Sequence, residues 1–336
     1  MDEVVAPDAV ADGKVDAVAV EMDLRAEALA EGGGAGNDNA AFTRRQFGKH
    51  AQALGDEVGM RGVLVVRQGF PVAEPVEVCG VIRPVFEVLV PVFGLAGIGG
   101  DEEVIKFVTS ANVACGFHAG DPMVMDRTVK MAGERGVAVG AHPGYPDLQG
   151  FGRRKMALSP LEIKNDMKYQ LGALKAFVEA EGMKLQHVAP HGALGNLCQY
   201  DRDASRAICE AVREVDDSLI VYYCAGAVLG EEAESAGLEA KAEIFADRAY
   251  QDDLSLVPRK TPGAMITDED VAIARCIRMV KEGRVTALSG REINIKGDTL
   301  CVHGDGPKAL DFVRKIRKAF EREGIAVCNF QGRAAI

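Results

Sequence analysis

Four of the six histidines in this 336-residue chain stand directly behind short apolar runs. "SANVAC" leads into "GFHAGDP", which carries His118 and Asp121. "VAVGA" leads into "HPGYPDLQGFGRR", with His142, Asp147, Arg153 and Arg154. "LQHVA" leads into "PHGALGN", with His191 and Asn196. "KAEIFA" leads into "DRAYQDD", with Asp247 and Arg248, and "TLCV" leads into "HGDGP", with His303 and Asp305. Histidines and carboxylates converging on one cavity can hold a divalent metal that activates water. They can equally serve as acid, base and oxyanion donors without a metal. Either route hydrolyses an amide or a related carbonyl, and the residues leave both open. Arg153 lies among glycines that let backbone approach a ligand closely, a setting suited to a carboxylate or phosphate. Asp121 precedes Pro122 and fits a helix cap as well as a catalytic role. His187 lies inside an apolar run and reads as core, and His50 lies far upstream.

The elements that must position these residues alternate regularly from residue 101 onward. Apolar strand-like runs at 110–115, 137–141, 185–189, 219–224, 241–246 and 299–304 are separated by helical stretches. "SPLEIKNDMKYQLGALKAFVEAEG" shows the helix grammar most fully, with Ser159 as N-cap, Pro160 in the first turn and Gly182 as stop. Strands apolar on both faces, each followed by a helix, predict parallel βαβ units. So many units favour a β/α barrel, closed or partly open, with an open doubly wound sheet as the alternative. In such a barrel the active site lies at the C-terminal strand ends, where the polar residues fall.

Upstream of residue 99 the sequence changes character. Residues 1–60 are rich in Ala, Gly, Asp and Glu with weak periodicity, which predicts a poorly ordered extension. Residues 61–99 are Val-rich but carry prolines at 71, 75, 84 and 91, which predicts edge or irregular chain there rather than a central strand. The expected organisation is therefore a divergent extension at 1–98, a barrel domain at 99–325 and a tail at 326–336. The net charge of −11 argues against nucleic acid or an anionic membrane as partner. The eight cysteines are scattered through apolar runs without a C-x-x-C pair, the pattern of buried thiols in a reducing compartment. With no basic leader and no unbroken apolar span, a cytoplasmic protein is expected. No G-x-x-x-x-G-K-[ST] and no G-x-G-x-x-G in strand–turn–helix context occurs, so a P-loop or dinucleotide fold is not indicated.

The blocks "TSANVACGFHAGDP", "GVAVGAHPGYPDLQGFGRR", "SPLEI…YQLGALKAF", "HVAPHGALGN", "EIFADRAYQDDLSLVPR", "PGAMITD" and "DTLCVHGDGP" together resemble the LamB/YcsF family, in its order and spacing across residues 100–323. The resemblance implies a β/α barrel of the glycoside hydrolase/deacetylase type. It also implies a role as the A subunit of ATP-dependent 5-oxoprolinase, which opens 5-oxoproline to L-glutamate with partner subunits B and C. ATP, with Mg2+, would be a co-substrate, and a bound divalent metal remains open. By position, His118, His142, His191 and Asp121 are the catalytic candidates. Arg153, Asp147, Asn196, Asp247, His303 and Asp305 are the candidates for substrate or phosphate. Two alternatives stand beside this: a metal-dependent carbohydrate deacetylase-like hydrolase, and a non-catalytic binding subunit. The chain departs from the family pattern in three places. A first strand close to "DLNCDLGE" is replaced by "PVFEVLVPVFGLAGIGG"; "VKPHGALYN" becomes "VAPHGALGN", with Ala189 for Lys and Gly195 for Tyr; and a long N-terminal extension is added. These departures predict reduced or lost activity in this chain.

Overall fold

The computed structural model describes residues 85–92, 101–303 and 309–330. The extension before residue 85, Asp305 and the last six residues lie outside the described residues. In chain order the strands are β1 (Val85–Val92), β2 (Ser110–Ala114), β3 (Ala138–His142), β4 (Leu185–Val188), β5 (Ile220–Cys224), β6 (Ala240–Phe245), β7 (Arg284–Thr286), β8 (Glu292–Asn294), β9 (Thr299–Cys301) and β10 (Ala326–Val327). The α-helices are α1 (Asp101–Val104), α2 (Pro122–Glu134), α3 (Pro160–Ala180), α4 (Gly192–Leu197), α5 (Arg202–Val215), α6 (Val228–Ser235), α7 (Glu269–Glu282) and α8 (Ala309–Arg322).

Seven parallel strands close on themselves. β1 to β6 pair in sequence, β6 pairs with β9, and β9 pairs with β1. The ring is the expected β/α barrel in its closed form, and the open-sheet alternative is set aside. β10 adds a short parallel pairing at the start of β1, and β7 and β8 form a separate antiparallel hairpin.

β1 corrects the reading of the prolines. The segment carrying Pro91 is a full strand with neighbours on both sides, β2 through residues 89–92 and β9 through residues 87–89. Pairing to β9 ends at Leu89, so beyond that point the strand has a barrel neighbour only on the β2 side. A residue without an amide hydrogen can stand at 91 with its missing donor turned to the open side.

The helices form for the local reasons their sequences give. Asp121 caps α2 by accepting from the Val124 amide at 3.0 Å. Ser159 and Glu162 complete a reciprocal capping box on α3, with 2.7 Å from the Ser159 amide to the Glu162 carboxylate. Ile163, Met167, Leu171, Leu174 and Val178 make the buried stripe of α3 at helical spacing. Among the described residues no helix is long and apolar enough to cross a membrane, and the described cysteines are free thiols.

Inside the barrel, under the C-terminal rim, the strands carry a polar stack. His187 Nε2 lies 2.6 Å from Asn112 Oδ1, and its Nδ1 lies 2.9 Å from Gln186 Oε1. The ring also lies flat on Tyr222, with centroids 3.9 Å apart. It passes across Gly140, where a Cβ would come within 1.9 Å of His187 Nε2, so only glycine fits on β3. The β3–β4 register shifts at Val139/Gly140, and the skipped partner is Gln186. That bulge puts the Gln186 and His187 side chains close enough to bond.

Candidate active site

The loops after β2, β3 and β4 bring three imidazoles together. His118, His142 and His191 are all buried. His118 and His191 stack face to face, with ring centroids 3.9 Å apart and planes within 2°. His142 stands edge-on to His191 at 4.8 Å. The loop after β3 closes over the stack. Gly144 and Gly152 press against it so closely that a Cβ at 144 would lie 2.7 Å from His118 Nδ1. At 152 a Cβ would lie 2.9 Å from both His118 and His191. Phe151, at φ 55°, sits edge-on to both stacked rings and takes the left-handed conformation that a bulky residue rarely adopts. The loop is held from outside by buried Gln170 of α3, which accepts from the Gly144 amide at 2.9 Å and donates to the Gly144 carbonyl at 3.0 Å.

Hydrogen-bond partners fix much of the proton arrangement. His142 Nδ1 donates to the Ala189 carbonyl at 2.7 Å, and His191 Nε2 donates to the Phe151 carbonyl at 2.8 Å. The two remaining nitrogens, His142 Nε2 and His191 Nδ1, face each other at 3.0 Å. Three short contacts need three N–H groups, and two neutral imidazoles supply two. Burial pushes both rings well below the ordinary imidazole range, and the neighbouring rings push the same way. The pair therefore rests neutral, each ring donating to its own backbone carbonyl. His118 is held down to about 3 by burial, with His142 and Arg153 adding to the effect.

These residues do not fit a divalent metal. Imidazole binds an ion in its own plane at about 2.0–2.1 Å. Two parallel rings stacked 3.9 Å apart cannot both place one ion in plane. His142 Nδ1 and His191 Nε2 are taken by backbone carbonyls. Among the described residues no group of three or more His, Cys, Asp or Glu is arranged to hold a metal.

The other candidates fall into two sets. Across the cavity, His303 after β9 donates from Nδ1 to Asp247 after β6, at 2.8 and 2.9 Å from its two oxygens. Burial pushes the Asp247 carboxyl up, but His303 and Arg259 more than offset this and hold it below the usual carboxylate range. His303 adds to the downward push on His142 and His191. Arg153 is exposed, lies over the Phe151 ring at 5.0 Å, and its charge adds to the downward push on His118 and His191. The remaining residues lie outside both sets. Asp147 holds the loop through Arg154 and the Gly150 amide, and the Arg154 bond lowers its carboxyl to about 2. Asp121 is exposed and caps α2, and Asn196 is exposed on α4. Sequence reasoning passed over Arg259, Gln170 and Phe151. Arg259 stands inside the quoted block "DDLSLVPR", but nothing local marks it as reaching His303. Gln170 shows only as a polar residue on a buried helix stripe.

The LamB/YcsF family profile matches residues 90–335, a span that contains every described site residue. The chain belongs to the LamB/YcsF family. It is 54% identical over 235 residues to the A subunit of 5-oxoprolinase from Clostridium beijerinckii, covering 70% of this chain and 92% of that protein. It is 52% identical over 235 residues to the protein of the same name from Pyrococcus abyssi, again covering 70% and 92%. Among solved structures, a lactam utilization protein from Thermus thermophilus is 46% identical with a TM-score of 0.69, covering 73% of this chain and 99% of that one. The family match begins within β1, so part of that strand lies inside the family's span.

Proposed function

We propose that this chain is the A subunit of an ATP-hydrolysing 5-oxoprolinase and that its strand-end histidine cavity takes the lactam. The observation that carries this is the 54% identity over 92% of a protein named as the A subunit of 5-oxoprolinase, together with a family match spanning the whole described site. Partner subunits B and C complete the enzyme, which works in the cytoplasm. A five-membered lactam is a stable amide whose opening to L-glutamate needs coupling to ATP, supplied with Mg2+. Phosphorylation of the lactam oxygen would make the carbonyl carbon open to attack by water, and breaking the ring C–N bond would then leave an acyl phosphate that a second water hydrolyses to glutamate and phosphate. Within this chain the residues have separable tasks. Arg153, exposed at the cavity beside the imidazoles, suits an anionic group of substrate or phosphate. The His142–His191 pair, neutral and anchored on two backbone carbonyls, suits a fixed surface beside the lactam. The tight loop around Gly144–Gly152 keeps the imidazoles fixed.

The test is reconstitution with the partner subunits. Glutamate should appear from 5-oxoproline only when ATP and this chain are both present. Amide hydrolysis without ATP, lost on removal of a stoichiometric transition metal, would favour the deacetylase-like reading instead. Ligand binding without turnover would favour the reading as a non-catalytic binding component.

A further inference from the structure

His303 differs from His142 and His191 in what holds its ring nitrogens. Nδ1 faces both oxygens of Asp247 at 2.8 and 2.9 Å, so Nδ1 carries the hydrogen. Nε2 lies 3.0 Å from Nη2 of Arg259, and a guanidinium only donates, so Nε2 is a lone pair. The ring is therefore neutral and in the tautomer a general base requires, with a carboxylate behind it and a lone pair in front. His142 and His191 each spend one nitrogen on a backbone carbonyl and turn the other toward its twin. The group covering the His303 lone pair is instead the end of an exposed side chain on the loop between β6 and α7. Arg259 also reaches the Met265 sulfur at 3.4 Å from Nη1, so the guanidinium has a second resting contact. The His303 and Asp247 side chains are only 12% and 17% exposed, which shields the hydrogen-bonded dyad from bulk water.

We propose that His303 is the general base of lactam opening, oriented by Asp247, and that Arg259 covers its lone pair until an anionic group of the substrate draws the guanidinium away. This rests on the 5-oxoprolinase reading. In the step itself, one O–H bond of water breaks and its proton goes to His303 Nε2 as the water oxygen bonds to the lactam carbonyl carbon. The ring C–N bond then breaks, its electron pair stays on nitrogen, and the proton on Nε2 passes to that nitrogen. Water has been added across the phosphorylated amide and His303 is neutral again; the remaining hydroxyl proton goes to the same nitrogen, which leaves the acyl phosphate of glutamate, and a second water hydrolyses that mixed anhydride to the carboxylate and inorganic phosphate. The cover has a physical purpose. A bare base beside a shielded cavity would take a proton from solvent, whereas the guanidinium keeps the lone pair occupied until a competing anion arrives. The charged and titratable groups around the ring are Asp247, Arg248 and Arg259 on its neighbouring loop, Arg275 of α7, and His142 and His191 across the cavity.

The experiment uses the full chain assembled with its partner subunits, and follows ATP-dependent glutamate release against pH. His303→Gln should lower kcat by roughly 100- to 10,000-fold, the range of a lost general base. Asp247→Asn should lower kcat and move the acid limb of the profile to lower pH, since the imidazolium loses its carboxylate. Arg259→Gln should raise KM and move the acid limb of kcat/KM to higher pH, because the lone pair is now open to protonation in the free enzyme. It should leave the acid limb of kcat in place, since the guanidinium has already moved in the substrate complex. Arg259→Lys should fall between the two. Near-parental kcat in His303→Gln overturns the base assignment, and an unmoved kcat/KM limb in Arg259→Gln overturns the cover. Nitrogen NMR of the His303 ring in the isolated full chain, titrated with 5-oxoproline, reads the cover without turnover. The Nε2 signal should change on binding in the parental chain and show no such release in Arg259→Gln. Absence of glutamate from the parental assembly refutes the functional reading and the base role with it, while the NMR titration still decides for or against the cover.

Discussion

Gly152→Ala probes the packing of the loop on the stacked imidazoles. Gly152 has φ +63°, and an added Cβ would meet His118 Cβ and His191 Cδ2 at 2.9 Å each. Two costs add. A left-handed residue with a Cβ costs about 1–2 kcal/mol. Forcing a methyl into a packed site costs about 1–3 kcal/mol. Gly136→Ala separates them, because Gly136 has φ +65° with nothing within 4 Å, so it carries the backbone cost alone. Urea unfolding of both variants, compared through their midpoints at constant slope, should place Gly152→Ala below Gly136→Ala by about 1–3 kcal/mol. The reconstituted enzyme should lose activity with Gly152→Ala, since a shift on the order of 1 Å in positioned groups costs about 100-fold. Equal destabilisation by the two variants would refute the packing of Gly152 against the histidines.

Three further outcomes follow from particular residues. Gly172→Ala, on the exposed face of α3 with nothing within 4 Å, should stabilise the chain by about 0.5–1 kcal/mol in the same assay; a loss of stability would contradict a regular helix there. His118 and His187 are held down to about 3 by burial, so between about pH 6.5 and 3 the unfolded chain binds more protons than the folded one. Stability should therefore fall as the pH drops through that window, by about 1.4 kcal/mol per pH unit for each ring, and a flat profile from pH 6.5 to 5 would contradict it. Ala189 is buried with its carbonyl on His142, so a positive charge is absent from position 189 at the heart of the site. If that absence limits the chain, Ala189→Lys should raise glutamate release at least tenfold above the parental rate, on the order of one charge-assisted hydrogen bond; an unchanged or lower rate at equal folded fraction would count against it.

The barrel was legible because its signals are local. Each of the six apolar runs read from the sequence coincides with a strand of the ring, and the caps at Asp121 and Ser159 stand where they were read. The histidines at strand ends were legible for the same reason, since strand position fixes which end of the barrel a following residue occupies. What sequence could not show depends on long-range register. The proline rule failed at residue 91 because the cost of a missing amide depends on where each neighbouring strand stops, and β9 stops short. The β7–β8 hairpin was missed because three-residue strands show too little alternation. The contact between Arg259 and His303 spans 44 positions and rests on the course of an irregular loop. The face-to-face stacking of His118 and His191, which argues against a shared metal, is a matter of side-chain angle that no spacing encodes.

The central claim is that the strand-end histidine cavity of this chain opens 5-oxoproline. The most direct measurement is glutamate and ADP formation by the assembled enzyme carrying either the parental chain or His191→Asn, matched for folded fraction and for complex formation. The expected result is glutamate and ADP in equal amounts from the parental enzyme, and a fall of about 100-fold or more with His191→Asn. No glutamate from the parental enzyme, or near-parental turnover with His191→Asn, would contradict it.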